Sequence, residues 1–305
     1  MRVAMWVDME GASRITDHRE CWPAFPQYWD SGRPKLTADV VAAAQGLLDG
    51  GVSEIVVVNA HGLGWPNLLS EEFPDGAVPA DDRSWNEEID AILQVGFHAR
   101  YGTSDGFLSH TMLPDLAFAV DGVPVTESHI WSWVAGVPLL GIVGDDALER
   151  QLDSGLEGTP FLAAKHSSSR TVTRPAHQRP EDGADAVRSF ARNCAMDAGR
   201  RPPTLPSRFE VSVSMPSSAA DRVNEGGGLV RTGSSTLTIE AEDWPKDVQP
   251  AVEAAMGAMV GPFFEAQGDL DLSSRAAMEQ QDPDALERLR GFFAQWIGAD
   301  GGAEL

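Results

Sequence analysis

Five polar residues in the first half of the chain have the types and positions needed to hold divalent cations: Asp8, Glu10, His61, His98 and Glu127. Two imidazoles and three carboxylates suit Zn2+ or another borderline divalent ion. Asp8 and Glu10 are two residues apart, so an extended backbone points both side chains the same way. Five donors exceed what one closed tetrahedral site takes. The set therefore points to two ions sharing a carboxylate, with Asp8, first on its strand end, as the bridge. Taken singly these residues say little. Most Asp-x-Glu pairs are solvated or cap a helix, and a lone His after a strand is more often structural than a ligand. The case rests on separate strand ends each delivering a residue of the right type. His110, within Leu108-Ser109-His110-Thr111-Met112, adds a candidate general acid or base, or a group that stabilises developing charge. Its alternative readings are a further ligand or a structural histidine.

The elements that must position these residues can be read from the apolar pattern. Val3 to Val7 predicts a strand that ends on Asp8. A loop rich in Pro, Trp and Gly is expected from Gly11 to Pro34. Val40, Val41, Ala44, Leu47 and Leu48 share one helical face, which predicts a helix over 37–49, capped by Thr37 and closed by Gly50-Gly51. Ile55 to Val58 predicts a buried parallel strand ahead of His61. Ala91 to Phe97 predicts a strand that ends at His98. Leu116–Val120 and Val123–Thr126 flank Asp121-Gly122, a hairpin signal that leads to Glu127. A helix over 128–135 and a strand over 138–143 follow. In open α/β sheets the carboxyl ends of strands are where ligands bind.

Beyond residue 150 the texture changes. Phe161–Ala164 predicts a short strand, 182–196 a helix, 201–206 a connector, 209–215 and 236–241 strands, and 247–263 a helix. Leu286, Leu289, Phe292, Phe293 and Trp296 keep helical spacing, so a late amphipathic helix is expected before fraying over 301–305. The expected fold class is α/β, with a mainly parallel sheet flanked by helices and a smaller α+β portion. The expected organisation is an α/β metal-binding domain over 1–150, the smaller portion over 151–265 and a helical extension over 266–305.

Composition excludes some classes of partner. The chain has 305 residues and a formal net charge of −23, from 46 acidic residues against 23 Lys and Arg. Nucleic acid and anionic membrane surfaces would repel it. Acidic pairs such as Glu71-Glu72 and Asp81-Asp82 read as solvated loops. No stretch approaches the ~18 apolar residues of a membrane span. The N-terminal apolar run is broken by Asp8 and Glu10 and reads as a strand, not a signal peptide. Two cysteines, Cys21 and Cys194, do not make a disulfide framework. A reducing cytoplasm is the expected compartment.

The runs Val7-Asp8-Met9-Glu10-Gly11, Asn59-Ala60-His61, Gly96-Phe97-His98-Ala99-Arg100 and Ser109-His110-Thr111-Met112, with Glu127, resemble the bacterial D-aminopeptidase family of dinuclear zinc metallopeptidases, of the dipeptide-transport operon type. Gly144-Asp145-Asp146, Lys165, Arg170 and Thr232-Gly233-Ser234-Ser235-Thr236 fit the same family, and the order holds from residue 1 to about 260. The resemblance implies two zinc ions on Asp8, Glu10, His61, His98 and Glu127, with Asp8 bridging and His110 catalytic. It implies cleavage of the N-terminal residue from short peptides, including D-amino-acid peptides. It also implies a ring-shaped homo-oligomer, a decamer, whose sites face an inner channel.

The chain departs from the pattern in places. Asn59 and Ala60 stand where the family has Asp and Ser. The segment 17–33 carries Trp22, Phe25, Tyr28 and Trp29. Those rings read as packing at a subunit interface or as a wall for an aromatic substrate. His129, Trp131 and Trp133 raise the same question, and His166 adds a polar group beside Lys165. The expected activity is therefore metal-dependent cleavage of an amide bond in a small substrate. The alternatives are a dinuclear hydrolase of a non-peptide amide or lactone and a non-catalytic metal-binding ring protein. Phosphoester hydrolysis fits less well, because Gly226-Gly227-Gly228, the candidate phosphate cradle, lacks strand–loop–helix context.

Overall fold

The N-terminal strand β1 (Arg2–Val7) divides its side chains between two cores. Val3, Met5 and Val7 face one side, Ala4 and Trp6 the other, as a pleated strand requires. Both sides are covered, which is why the run reads as continuously apolar. The computed structural model describes all residues except 63–64, 81–87, 154, 198, 200–201, 224–227, 268–282 and 299–305. The readings of Asp81-Asp82, of Gly226-Gly227 and of the last five residues lie outside the described residues.

After β1 come α1 (Pro26–Asp49), β2 (Glu54–Asn59), β3 (Ala77–Pro79) and β4 (Ala91–Phe97). A hairpin, β5 (Ala117–Val120) and β6 (Val123–Pro124), leads into α2 (Glu127–Ala135), β7 (Leu139–Asp145) and α3 (Asp146–Glu149). Then follow β8 (Phe161–Ser169), β9 (Val172–Pro175), α4 (Pro180–Met196), β10 (Phe209–Ser214) and α5 (Ser217–Ala220). The chain continues with β11 (Val230–Arg231), β12 (Thr236–Ala241), α6 (Gln249–Gln267) and a last helix, Pro283–Gly298.

Seven strands form the main sheet in the order β3-β2-β1-β4-β7-β8-β9, all parallel except the edge strand β9. Five form an antiparallel sheet in the order β11-β12-β10-β5-β6. The α/β class with a second, smaller sheet is thus as expected. Helices α1 and α4 pack on each other over one face of the main sheet. The β5–β6 hairpin leaves the main sheet and pairs with β10, so α2 lies where the two sheets meet. Its Ile130 and Trp133 enter the core of the smaller sheet, while Trp131 stacks on Trp6 of β1 at 4.4 Å. Among the described residues no helix is long and apolar enough to cross a membrane.

Three local expectations are corrected. Helix α1 starts at Pro26, not at Thr37, and carries Pro34 inside it. Trp29, Leu36, Val40, Ala43 and Leu47 continue one buried stripe across the proline, so packing outweighs its missing hydrogen bond. Thr37 is no cap; its hydroxyl accepts from Leu69 N (3.1 Å). The strand that begins at Phe161 runs on to Ser169 and turns back as β9. Its polar half stays extended because Lys165 and Ser167 hydrogen-bond inward. Glu127, expected between the hairpin and a helix over 128–135, is itself the first residue of α2.

At β1 the chain changes direction across the sheet: β2 and β3 lie on one side of it, β4 and β7 on the other. The loop after β1 lies directly on the end of β4. Asp8 N donates to Val95 O (2.9 Å) and Gly11 N to Gly96 O (2.7 Å). Gly96 adopts φ +82°, and a Cβ there would stand 1.9 Å from Asp8 O. A Cβ on Gly11 would stand 1.8 Å from Phe97 O. Gly96→Ala should therefore destabilise the fold by about 2–4 kcal/mol, through an unfavourable φ and a backbone clash. Urea unfolding checks this, and an unchanged midpoint would contradict it.

Candidate metal centre and its cavity

All six singled-out residues meet at the carboxyl edge of the main sheet, and all are buried. Asp8 and Glu10 leave the end of β1, His61 follows β2, His98 follows β4, and Glu127 opens α2. His110 comes from the long loop between β4 and β5. Asp8 divides its two oxygens: Oδ1 lies 3.1 Å from His61 Nδ1 and Oδ2 lies 3.2 Å from His98 Nε2. Glu10 Oε2 is 3.1 Å from the same His61 nitrogen. Glu127 Oε1 stands 3.8 Å from His98 Nε2 and 3.7 Å from His110 Nε2. The His98 and His110 rings stack at 4.2 Å.

Each histidine spends one nitrogen on a backbone carbonyl and turns the other towards the carboxylates. His61 Nε2 donates to Cys21 O (2.8 Å), His98 Nδ1 to Ala99 O (2.9 Å) and His110 Nδ1 to Leu108 O (2.8 Å). In the neutral tautomers the opposite nitrogens therefore point lone pairs at carboxylate oxygens. Such a convergence repels itself unless a positive charge sits in it. Asp8 Oδ2, Glu10 Oε1 and His98 Nε2 are buried and make no well-aligned hydrogen bond. Donor atoms of Asp8, Glu10 and His98, and separately of His98, His110 and Glu127, lie within 4.8 Å of one another. This donor set fits divalent cations, and the second group admits His110 as a ligand as well as a neighbour.

The charge balance can be followed residue by residue. Burial would raise the Asp8 pKa, but His61 and His98 hold it well below the usual carboxylate range. Burial would lower His98, yet Asp8 and the charges of Glu127 and Glu10 push it up to about 10. His61 is likewise pushed up by Glu10 and Asp8 against its burial. Glu127 rises to about 7, chiefly through burial. His110 is held well below its ordinary value by burial and by the His98 charge, so it is neutral.

The supporting residues are equally specific. Lys165, fully buried on β8, donates to Glu10 O (2.6 Å) and to Ile15 O, and so anchors the loop that carries Glu10. Burial holds its ammonium down to about 8. Asp39 on α1 accepts from Ser13 N and Ser13 Oγ, both at 2.7 Å. Asp145 accepts from Phe107 N (2.9 Å) and steadies the loop that bears His110. That loop is bent at Leu108 and Met112, whose φ values are +48° and +64°. Met112 N donates to Glu127 Oε1 (2.6 Å). Asn59 serves two neighbours: Oδ1 accepts from His61 N (3.1 Å) and Nδ2 donates to Trp65 O (3.0 Å). An aspartate could make only the first of these bonds.

A cavity of about 440 Å³ opens over the centre, reached by Asp8, Glu10, His61, His110 and Glu127. Trp22 and Trp131 line it, as a substrate wall would. Trp29 is core, and Tyr28 lies under Arg19 at 3.9 Å. Trp133 packs on Trp244, and His129 caps α2 through Thr126 and Asp153 O. His166 pairs with Asp146 (2.9 Å), outside the cavity lining. Sequence reasoning did not single out Trp6, Trp65 or the methionines Met112, Met256 and Met259, which also line the cavity. No spacing signal marks them, because they come from unrelated elements.

Residues 1–251 match the family model described as Peptidase_M55, D-aminopeptidase. A solved structure, the "Zn-dependent D-aminopeptidase DppA from Bacillus subtilis, a self-compartmentalizing protease", superposes with a TM-score of 0.76 at 25% identity, covering 85% of this chain and 98% of that one. No curated protein sequence matches significantly.

Protons and cations compete for the same atoms. Below about pH 10 a bound cation must displace the His98 proton, and below about pH 7 it must also displace one from Glu127. Affinity for a divalent cation should therefore rise with pH between about 6 and 9, more steeply at the acid end. Calorimetric titration at several pH values measures this, and a flat profile would contradict it. Lys165→Met strands two buried carbonyls. It should weaken cation binding and cost about 1–3 kcal/mol of stability, read from metal content and thermal melting.

Proposed function

The chain belongs to the D-aminopeptidase family of metallopeptidases, peptidase M55, and on that premise we propose that it removes the N-terminal residue from short peptides or small amides at a dinuclear zinc centre. The proposed ligands are Asp8, Glu10, His61, His98 and Glu127, with Asp8 bridging. What supports this above all is the buried convergence of three carboxylates and three imidazoles, each ring held by a backbone carbonyl at its other nitrogen. The way Asp8 splits its oxygens between His61 and His98 supports the bridging role.

Zinc bound there would polarise the amide carbonyl and lower the pKa of a water towards about 7. The residues of the chain supply the remainder. His110 is neutral, with its Nδ1 proton committed to Leu108 O, so Nε2 is the atom that can accept. The proton released as water attacks the amide carbon passes to His110 Nε2. From there it goes to the leaving nitrogen, which departs as the free amine. Asp145 and the bent backbone at Leu108 and Met112 hold the ring in place for both transfers. The indoles of Trp6, Trp22 and Trp131 exclude water from the flanks of the cavity.

We further propose a closed homo-oligomer, a decamer in the fullest form of the reading, because the similar DppA is described as self-compartmentalizing. We assign the protein to the cytoplasm, where the buried Cys21 and Cys194 would stay reduced.

His110→Ala should keep zinc content near wild type and lower kcat by about 10²–10⁴-fold on D- or L-aminoacyl amides. Metal analysis and steady-state kinetics test this together. Full activity in the variant would refute the proton-transfer role, and loss of zinc would make His110 a ligand instead. Light scattering after size exclusion tests the assembly, where a monomer would overturn it.

A further inference from the structure

Between the centre and solvent the cavity has an aromatic wall that starts at a proposed ligand. Trp65 stands edge-on to the His61 ring, with centroids 5.7 Å apart. Phe293 stands edge-on to Trp65 at 6.4 Å and stacks flat on Trp22 at 4.7 Å, with 8° between planes. Phe292, half-buried, lines the same cavity. Both phenylalanines come from the last helix, Pro283–Gly298, which lies beyond the residues 1–251 that match the family.

This helix is built into the molecule. Ala285, Leu289 and Phe293 join the main core. Arg290 Nε donates to Ala24 O (2.9 Å), and its guanidinium lies 5.6 Å above the Phe25 ring. The lining also carries Met112, Met256 and Met259, whose thioethers adapt to irregular apolar shapes and favour aromatic neighbours. Trp65 is held by the Asn59 amide, the same group that fixes His61. The aromatic wall and the centre are therefore in fixed register.

We propose that the last helix completes a subsite for an aromatic side chain on the residue whose carbonyl is attacked. The inference rests on the aminopeptidase reading for which bond is cut. A substrate with its carbonyl at the Asp8 and His61 end of the cavity must send its side chain along a neighbouring wall. The wall next to His61 is made of rings that offer faces and edges to another ring. A cavity of about 440 Å³ has room for such a side chain and the scissile amide together. A small side chain would leave this apolar surface uncovered.

The test uses the full-length zinc-loaded protein with alanine and phenylalanine p-nitroanilides, each in both hands. In one hand, kcat/KM for the phenylalanine substrate should exceed that for alanine about tenfold or more, and Phe292→Ala should collapse that ratio. Phe293 is a core residue, so its variant is the milder Phe293→Leu, accepted only with an unchanged melting temperature; it too should lower the ratio. Binding is read separately, by quenching of tryptophan fluorescence with phenylalaninamide and alaninamide. Equal wild-type preference for the two side chains overturns the subsite. So does an equal loss on both substrates in Phe292→Ala. A gain of activity in that variant also overturns it, because the helix would then be a plug. If neither anilide is cleaved, the hydrolase reading fails, and the fluorescence decides the subsite alone. Tighter binding of phenylalaninamide that Phe292→Ala abolishes upholds it, and equal binding sinks it.

Discussion

Three carboxylates buried around three imidazoles set the terms for the rest of this molecule. Asp8, Glu10 and Glu127 carry more negative charge than buried groups tolerate without a cation or protons. Every neighbouring feature either holds these groups together against their repulsion or fixes which atoms meet. Backbone carbonyls at Cys21, Ala99 and Leu108 choose the histidine tautomers. Glycines at 11 and 96 let the strand ends touch. Lys165 is a second buried charge, set behind the loop instead of within the centre. It bonds to carbonyl oxygens, so it steadies Glu10 without neutralising the Glu10 carboxylate.

The two sheets divide the labour. The parallel sheet supplies four of the five proposed ligands from the ends of three neighbouring strands, at the point where the strand order turns. The antiparallel sheet supplies the platform for α2 and, through α5 and α6, part of the cavity wall. Glu127 connects them. It sits at the first turn of a helix whose apolar side chains belong to one core and whose Trp131 belongs to the other.

Much of the centre was legible in the sequence because strand ends are legible. A short apolar run followed at once by Asp8 or His98 announces both the strand and the side chain at its mouth. The loop that carries His110 could be placed, but its bend could not, since Leu108 and Met112 take left-handed conformations that their residue types disfavour. Helix α1 was cut short in the reading because Pro34 is a local signal, whereas the stripe from Trp29 to Leu47 is satisfied only by the folded core. The cavity was least legible. Its rings and thioethers come from residues 6 to 293, and nothing in local periodicity says that Trp22 will meet Phe293. The late helix was readable as amphipathic, but not the surface it would cover.

The hairpin that precedes Glu127 has a consequence for the order of assembly. Strand β5 pairs with β10, which begins at Phe209, so a chain emerging from the ribosome makes the hairpin long before its neighbour exists. Until then β5 presents an open edge, and α2 lacks the strands on which Ile130 and Trp133 pack. The parallel strands that bear Asp8, His61 and His98 can gather earlier, from chain already synthesised. Of the five proposed ligands, Glu127 is therefore the one whose helix packs on chain made after β9. The full support of the centre thus requires chain from the later part of translation.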